Sequence, residues 1–549
     1  MTPVLRDAIT VCQDLGIRYL WVDCLCIQQD GGNADWEEQS QEMSHIFGNS
    51  WLTICASASR SCLEGFLDHI DRHSRTIQIK FTSNESQRVQ GSFRLRLATL
   101  NGRPGFHHSN WTAIRPPLSR DLESSKWNTR GWVFQERILS PRLLYFGARM
   151  VHFQHGNTVI SEDGSPINGD ILDYSIRAPH YCSANLLEQL EFLQSRGSLI
   201  TDLWYTLVAA FDEPDFTDAR DTFPAIAGIA RRVQEFTKQR YIAGLWEEDL
   251  FCGLLWNTKD LGGRVTRRPS PVSLWQALKI LEEPRYLIAP SWSWARRHSL
   301  DHFMITNRIN FTCLVRSHLR AEFELVESCV LVDGVNRYGR IDSASISMIG
   351  PTIRFPPDSA SYRDLDHWIC EPFPDQFVIL HPDWKLYQLS PGIDIREEMH
   401  ARLQLLLIAS CCSDLRFSSS TQDVHTPPHK DLTEPATEPA HEADTDVLSR
   451  KKLKWKDIGT KYEEALKPEY RPHFYEDSYD GFDAAIQCDI CSNHKLTRDI
   501  WGLMIYPAGP VDTYYRVGTF FSRAEHGGSA IFQGVEPRKI EIYPHSLAA

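Results

Sequence analysis

The first sixty positions carry two hydrophobic rhythms in alternation. Val4, Leu5, Ala8, Ile9, Cys12 and Leu15 recur at helical spacing, behind Thr2 as a possible cap and Pro3 at the first helical position, and Gly16 supplies a stop. The run YLWVDCLCI (19–27) follows at once. It is short, apolar on both faces, β-branched and aromatic, the pattern of a buried central strand. After a Gly31-Gly32 loop, Asp35 and Glu38 have capping-box spacing, and Trp36, Met43, Ile46 and Phe47 give the next helix one apolar face. WLTICASAS (51–59) reads as a second buried strand. Helix, strand, helix, strand predicts a parallel α/β layer.

The pattern then changes several times. RTIQIKF and SFRLRLA alternate as the arms of a hairpin insertion, and RLLYFGARMVHFQ (142–154) predicts two short strands around Gly147. We place an N-terminal α/β domain at 1–156, a mainly helical region at 157–284 and a β-rich region at 285–412. In the last of these, SWSW (291–294) reads as strand packing. Residues 413–450 are rich in Pro, Ser, Thr and acidic side chains and poor in large apolar ones, which predicts a disordered insertion. A second β-rich region, 451–549, starts with the basic run KKLKWK, read as a solvated face, and includes YYRVGTFF (514–521). No internal repeat is visible.

With 549 residues, of which 42% are hydrophobic, the chain can bury more than one core. A formal net charge of -13 argues against nucleic acid as the partner, since neutralising phosphates needs a basic face. The longest apolar runs reach about half the ~20 residues of a membrane helix, so no membrane partner is expected. With no secretory pattern at the start, and 14 cysteines spread over a long chain, a reducing cytoplasm is the expected setting. Cys24, Cys26 and Cys55 sit in apolar runs and read as small hydrophobes rather than nucleophiles. CDICSNH (488–494) lacks a second ligand pair, and His425, His429 and His441 lie in the insertion, so neither metal nor cofactor is expected. No phosphate loop or dinucleotide fingerprint is present.

The chemistry concentrates in NTRGWVFQER (128–137). The i, i+4 spacing puts Trp132 and Glu136 on one helix face, with Arg130 and Arg137 flanking. One reading is a catalytic carboxylate beside an aromatic wall. The other is a packed tryptophan, with Glu136 in a structural ion pair to Arg130, Arg137 or Arg142. Asp23, at the carboxyl end of the predicted first strand, could join a site there, because ligands gather at that end of α/β sheets.

LGIRYLWVDCLCIQQD, DWEEQSQEMSHIFGNSWLTICASAS and WNTRGWVFQERILSPRLLYFG, in that order, resemble the heterokaryon incompatibility (HET) domain family of filamentous fungi over roughly residues 3–155. DTFPAIAGIA, YIAGLWEEDL, APSWSWA and YYRVGTFF look like the regions that often follow that domain. The resemblance implies a role in non-self recognition and programmed cell death, with protein partners or self-association. Members usually start with a further strand block of the kind YxALSYxWG. The resemblance therefore implies an N-terminally truncated domain that lacks its first strand, a missing strand that would leave a sheet edge open. HET domains are in turn similar to TIR domains, which implies a flavodoxin-like parallel sheet. By that likeness Glu136 occupies the catalytic position of NAD-cleaving TIR enzymes and Trp132 is its partner. Asp23 could hold a ribose hydroxyl or orient a loop, and Arg130 or Arg137 could meet the pyrophosphate. NAD is then a possible substrate. The alternative is an inactive HET scaffold acting as a recognition module.

Overall fold

The computed structural model describes residues 1–28, 34–67, 76–82, 90–96, 118, 121–122, 125–156, 158–162, 166–167, 186–195, 200–211, 215–259, 274–282, 288–296, 308–311, 319–354, 360–364, 367–371, 376, 378–383, 402–412 and 497–542. The chain falls into two units, Met1–Cys412 with Asp483–Ala549, and Ser413–Phe482. The second unit lies wholly outside the described residues, and with it the proposed disordered stretch, the basic run and the insertion's histidines. CDICSNH and the Gly31-Gly32 loop also lie outside them.

Helix α1 (Pro3–Asp14) forms where its apolar period places it, and Gly16 takes a left-handed φ of 68° that ends it. Thr2 holds the N-cap position, but its hydroxyl makes no capping bond. Ala8 and Val11 bury against Phe66 and Phe146. Asp7 ties residues 66 and 67 to this helix, its carboxylate accepting the Phe66 and Leu67 N–H groups at 2.6 and 3.1 Å.

The predicted strand at 19–27 does not form. Residues 17–22 run without regular structure, and Asp23–Cys26 make one turn of helix, α2. Tyr19 is 83% exposed and Leu25 68%. Continuous apolarity cannot by itself separate a buried strand from other uses, because a strand also needs a ladder partner. Among the described residues this segment has none. The backbone closes locally instead, with the Leu25 and Cys26 N–H groups both on the Val22 carbonyl. Cys24 and Cys26 are consequently exposed, against expectation, whereas Cys55 is buried. Asp35 is no cap either. It lies inside α3 (Ala34–Gly48) and accepts the Gln28 N–H at 2.6 Å.

The second predicted strand forms as a short core, β1 (Thr53–Cys55), and the hairpin insertion forms as β2 (Thr76–Thr82) against β3 (Gln90–Arg96). Helix α4 (Gly131–Leu139) leads into β4 (Arg142–Phe146) and β5 (Val151–His155), the two strands expected around Gly147. With β6 (Thr158–Ser161) and β7 (Pro166–Ile167) they build a five-stranded sheet of order β1-β4-β5-β6-β7. Only β1 and β4 run parallel; the remaining pairs are antiparallel. The expected parallel sheet is therefore a mixed one. The reason is local: β4 and β5 are joined by four residues, too few for a parallel crossover of a dozen or more. The sheet also runs past residue 156.

Helices α5 (Leu186–Ser195), α6 (Ile200–Ala210) and α7 (Ala227–Thr237) follow, and then a tight hairpin of β8 (Tyr241–Ile242) and β9 (Leu245–Trp246). Its two turn residues, Ala243 and Gly244, both have positive φ, 45° and 91°, as a twisted two-residue hairpin demands. SWSW is a buried turn, not a strand. Trp294 and Trp204 both donate to the Gly244 carbonyl, at 2.8 and 3.0 Å, and Ser293 to the Ala243 carbonyl at 2.6 Å.

The two β-rich stretches make one eleven-stranded sheet. The strands that end the first stretch (Gln404–Cys412) and open the second (Arg498–Pro507) are antiparallel neighbours, with Cys412 opposite Arg498. Residues 413–497 are thus inserted between adjacent strands of one sheet. The largest core runs from Ile138 and Leu139 of α4, through α6, α7 and the SWSW turn, to this sheet. The helix that carries the candidate chemistry is thereby part of the core of the region that follows it.

Candidate functional site

Helix α4 is held on three sides, which fixes where its side chains point. Gln135 is buried, accepting the Gly228 N–H of α7 at 2.7 Å and facing the Met43 sulfur of α3 at 3.8 Å. A Cβ at Gly228 would lie 2.7 Å from both the Gln135 amide oxygen and Ser44, so glycine is what lets α3, α4 and α7 meet. Val133, Ile138 and Leu139 are buried, and Phe134 packs on Phe211 with ring centroids 5.1 Å apart.

Trp132 and Glu136 share a less covered face, and both are half-buried. The structural ion pair that spacing allowed is not made: among the described residues the Glu136 carboxylate has no salt bridge and no hydrogen bond. Arg142 turns to the Trp51 carbonyl at 3.0 Å instead. Burial pushes the Glu136 carboxyl up from 4.5 to about 7; the Arg130 guanidinium opposes that rise and the Asp23 carboxylate adds to it. Those same influences place Arg130 and Asp23 within electrostatic reach of Glu136. Arg130 is the exposed N-cap of α4, and Asp23 is an exposed residue at the start of α2, its carboxylate accepting the Cys24 N–H at 2.7 Å.

Arg137 points elsewhere. It is buried, donates to the Asn128 side chain at 2.7 Å and faces the Tyr145 hydroxyl of β4. Arg130 and Asp23 thus act electrostatically on Glu136, which has Trp132 on the same helix face, and Arg137 lies on the sheet side. Below lies Cys55, whose thiol is driven well up by burial and by the Glu136 charge.

Residues 1–136 match the family model described as Heterokaryon incompatibility protein (HET). The chain carries a HET domain. No curated protein and no solved structure matches it. The HET match ends at Glu136 itself, whereas α4 continues to Leu139 and its next strands complete the sheet. Among the described residues no group of three or more His, Cys, Asp or Glu side chains could hold a metal ion, and no helix is long and apolar enough to cross a membrane.

Two polar clusters have no signal in the local sequence, because each joins distant segments. Asp215 meets Lys126 and Thr129 at the entrance to α4, at 2.6 and 2.7 Å. In the sheet, buried His152 lies between Ser161 and Asp121, its two ring nitrogens each 2.9 Å from an oxygen. The second is sealed from solvent, which suits it to holding residue 121 against β5 and β6.

Proposed function

We propose that the HET domain of this chain cleaves the nicotinamide–ribose bond of NAD with Glu136 as the key carboxylate, and so promotes cell death in fungal incompatibility. The observation that supports this most is the state of Glu136: half-buried, without an ion pair among the described residues, and raised to about 7. A carboxylate kept from pairing costs stability and is characteristic of functional sites. In the reaction the bond between ribose C1′ and the pyridinium nitrogen breaks, and its electron pair goes to that nitrogen. Nicotinamide departs neutral, so no strong general acid is needed. The ribose is left as an oxocarbenium-like cation, which the ionised Glu136 stabilises through space, a contribution of roughly 100-fold or more. Water then adds to C1′, and its proton passes to the Glu136 carboxylate. Trp132 would wall the pocket, Arg130 would meet a phosphate oxygen, and Asp23 would hold a ribose hydroxyl.

The test is nicotinamide release from NAD by concentrated protein, since self-association is part of this reading. Wild type is expected to release it and Glu136→Ala to lose most of the rate; an unchanged Glu136→Ala rate would remove the proposal.

A second reading, a recognition module without catalysis, is favoured by a separate observation. Tyr19 and Leu25 present apolar surface, and β1 has only β4 as a partner among the described residues. An open edge and exposed apolar side chains suit strand addition by a protein partner. Tyr19→Ser with Leu25→Ser would then abolish self-association in sedimentation, and fully assembled wild type would release no nicotinamide; release by assembled wild type would remove this second reading.

A further inference from the structure

Helix α4 starts in a clamp supplied from outside the HET match. The Asp215 N–H donates to the Thr129 carbonyl at 2.6 Å, and the Gly131 N–H donates to the Asp215 carbonyl at 3.1 Å. Together they make a one-residue parallel bridge between Arg130 and Asp215. The Asp215 carboxylate accepts from Lys126 Nζ at 2.6 Å and from the Thr129 hydroxyl at 2.7 Å. Phe216 closes the clamp. Its ring lies so close over Gly131 that a Cβ there would run into it, and it stacks edge-on against Phe211, 6.1 Å between centroids. Phe211 in turn meets Phe134 of α4 at 5.1 Å and Trp294 of the SWSW turn at 6.2 Å.

The bridged residue is Arg130, whose charge opposes the burial-driven rise of the Glu136 carboxyl, while Asp23 of α2 adds to that rise and the same carboxylate acts on the Cys55 thiol of β1. The backbone direction of Arg130 is set on one side by the helix it caps and on the other by Asp215. We infer that Asp215 is a positioning residue: it fixes the backbone of Arg130, the N-cap of the helix that carries Glu136, so that the region following the HET domain sets the charge environment of the domain's carboxylate. This rests on Glu136 being the carboxylate of the site, though not on NAD being its substrate. It assigns the 200–256 region a control function. Any event that moves residues 215–216, through the packed Phe211 and Trp294 rings or through a bound partner, changes the fraction of Glu136 that is charged at neutral pH.

The experiment is a titration of Glu136 in the full chain, by carboxyl carbon NMR with labelled glutamate, the resonance assigned by its loss in Glu136→Gln. Wild type, Asp215→Ala, Arg130→Met and the double variant are compared, with nicotinamide release measured alongside. Thr129→Val, which weakens the same clamp at an exposed position, stands in if Asp215→Ala does not fold. The inference expects Asp215→Ala to raise the Glu136 midpoint by about half a pH unit or more, and Arg130→Met to raise it by at least as much. It also expects the double variant to match Arg130→Met alone, because Asp215 acts through Arg130. An unmoved midpoint in Asp215→Ala or Thr129→Val, or fully additive shifts in the double variant, would overturn it. A clamp that is merely structural would lower the melting temperature and leave the midpoint in place. Should wild type release no nicotinamide while the midpoints behave as expected, the substrate reading fails and the positioning role stands.

Discussion

Replacing Glu136 by glutamine should make the protein more stable at alkaline pH and leave it little changed in acid. The carboxyl ionises at its ordinary 4.5 when exposed and at about 7 in the fold. The folded state therefore holds this proton more tightly than the unfolded one. The contribution to stability is fully present below pH 4.5 and is lost as pH rises through 7. At about 1.4 kcal/mol per pH unit, the interval corresponds to about 3 kcal/mol by pH 8. Glutamine has the shape and polarity of the protonated acid and never bears the charge. The difference in unfolding free energy between Glu136→Gln and wild type, from urea curves, should be near zero at pH 4 and reach about 3 kcal/mol in the variant's favour at pH 8. Because it is a difference, other titrating groups largely cancel. An ion pair at Glu136 would give the opposite sign, with the variant less stable at pH 8. That result, or a difference that does not change with pH, would refute the reasoning.

Three further outcomes follow from the packing around α4 and the sheet. Gln135→Ala removes the acceptor of the buried Gly228 N–H and should cost about 1–3 kcal/mol in urea unfolding. Arg137→Met, at a buried guanidinium bonded to Asn128, should lower stability and leave the Km for NAD unchanged in whatever fraction is folded; a selective rise in Km would place Arg137 at the substrate after all. His152→Phe leaves the sealed Asp121 carboxylate without its imidazole partner and should destabilise by about 3 kcal/mol, detectable as a loss of hydrogen-exchange protection in β5 and β6.

Local pattern was a good guide where a segment needs only its own residues. The period of Val4 to Leu15 gave α1, and the alternation either side of Gly147 gave β4 and β5. It failed where the outcome depends on a distant partner. YLWVDCLCI has every property of a buried strand except a neighbour to pair with, and SWSW alternates like a strand yet is a turn whose indoles converge on one carbonyl of the β8–β9 hairpin. The direction of the sheet followed from a four-residue link rather than from strand composition. At the site, i, i+4 spacing put Trp132 and Glu136 on one face, but only the fold could say that Glu136 has no ion pair among the described residues, that Asp23 and Arg130 act on it electrostatically, and that Arg137 turns to Asn128. Asp215 and Phe216 lie some eighty residues from Arg130 in sequence, and nothing in their own segment signals the contact.

In the proposed reaction it is the charged form of Glu136 that drives bond cleavage. The most direct test is the pH dependence of nicotinamide release by assembled wild-type protein between pH 5 and 9 at NAD well below saturation, where the rate follows kcat/KM and reports the groups of the free protein. The rate is expected to climb with pH and level off through a single inflection near 7, the value that burial gives the free carboxyl, with no such rise in Glu136→Gln. A rate independent of pH across that range, or a Glu136→Gln variant that keeps the wild-type rate, would contradict it.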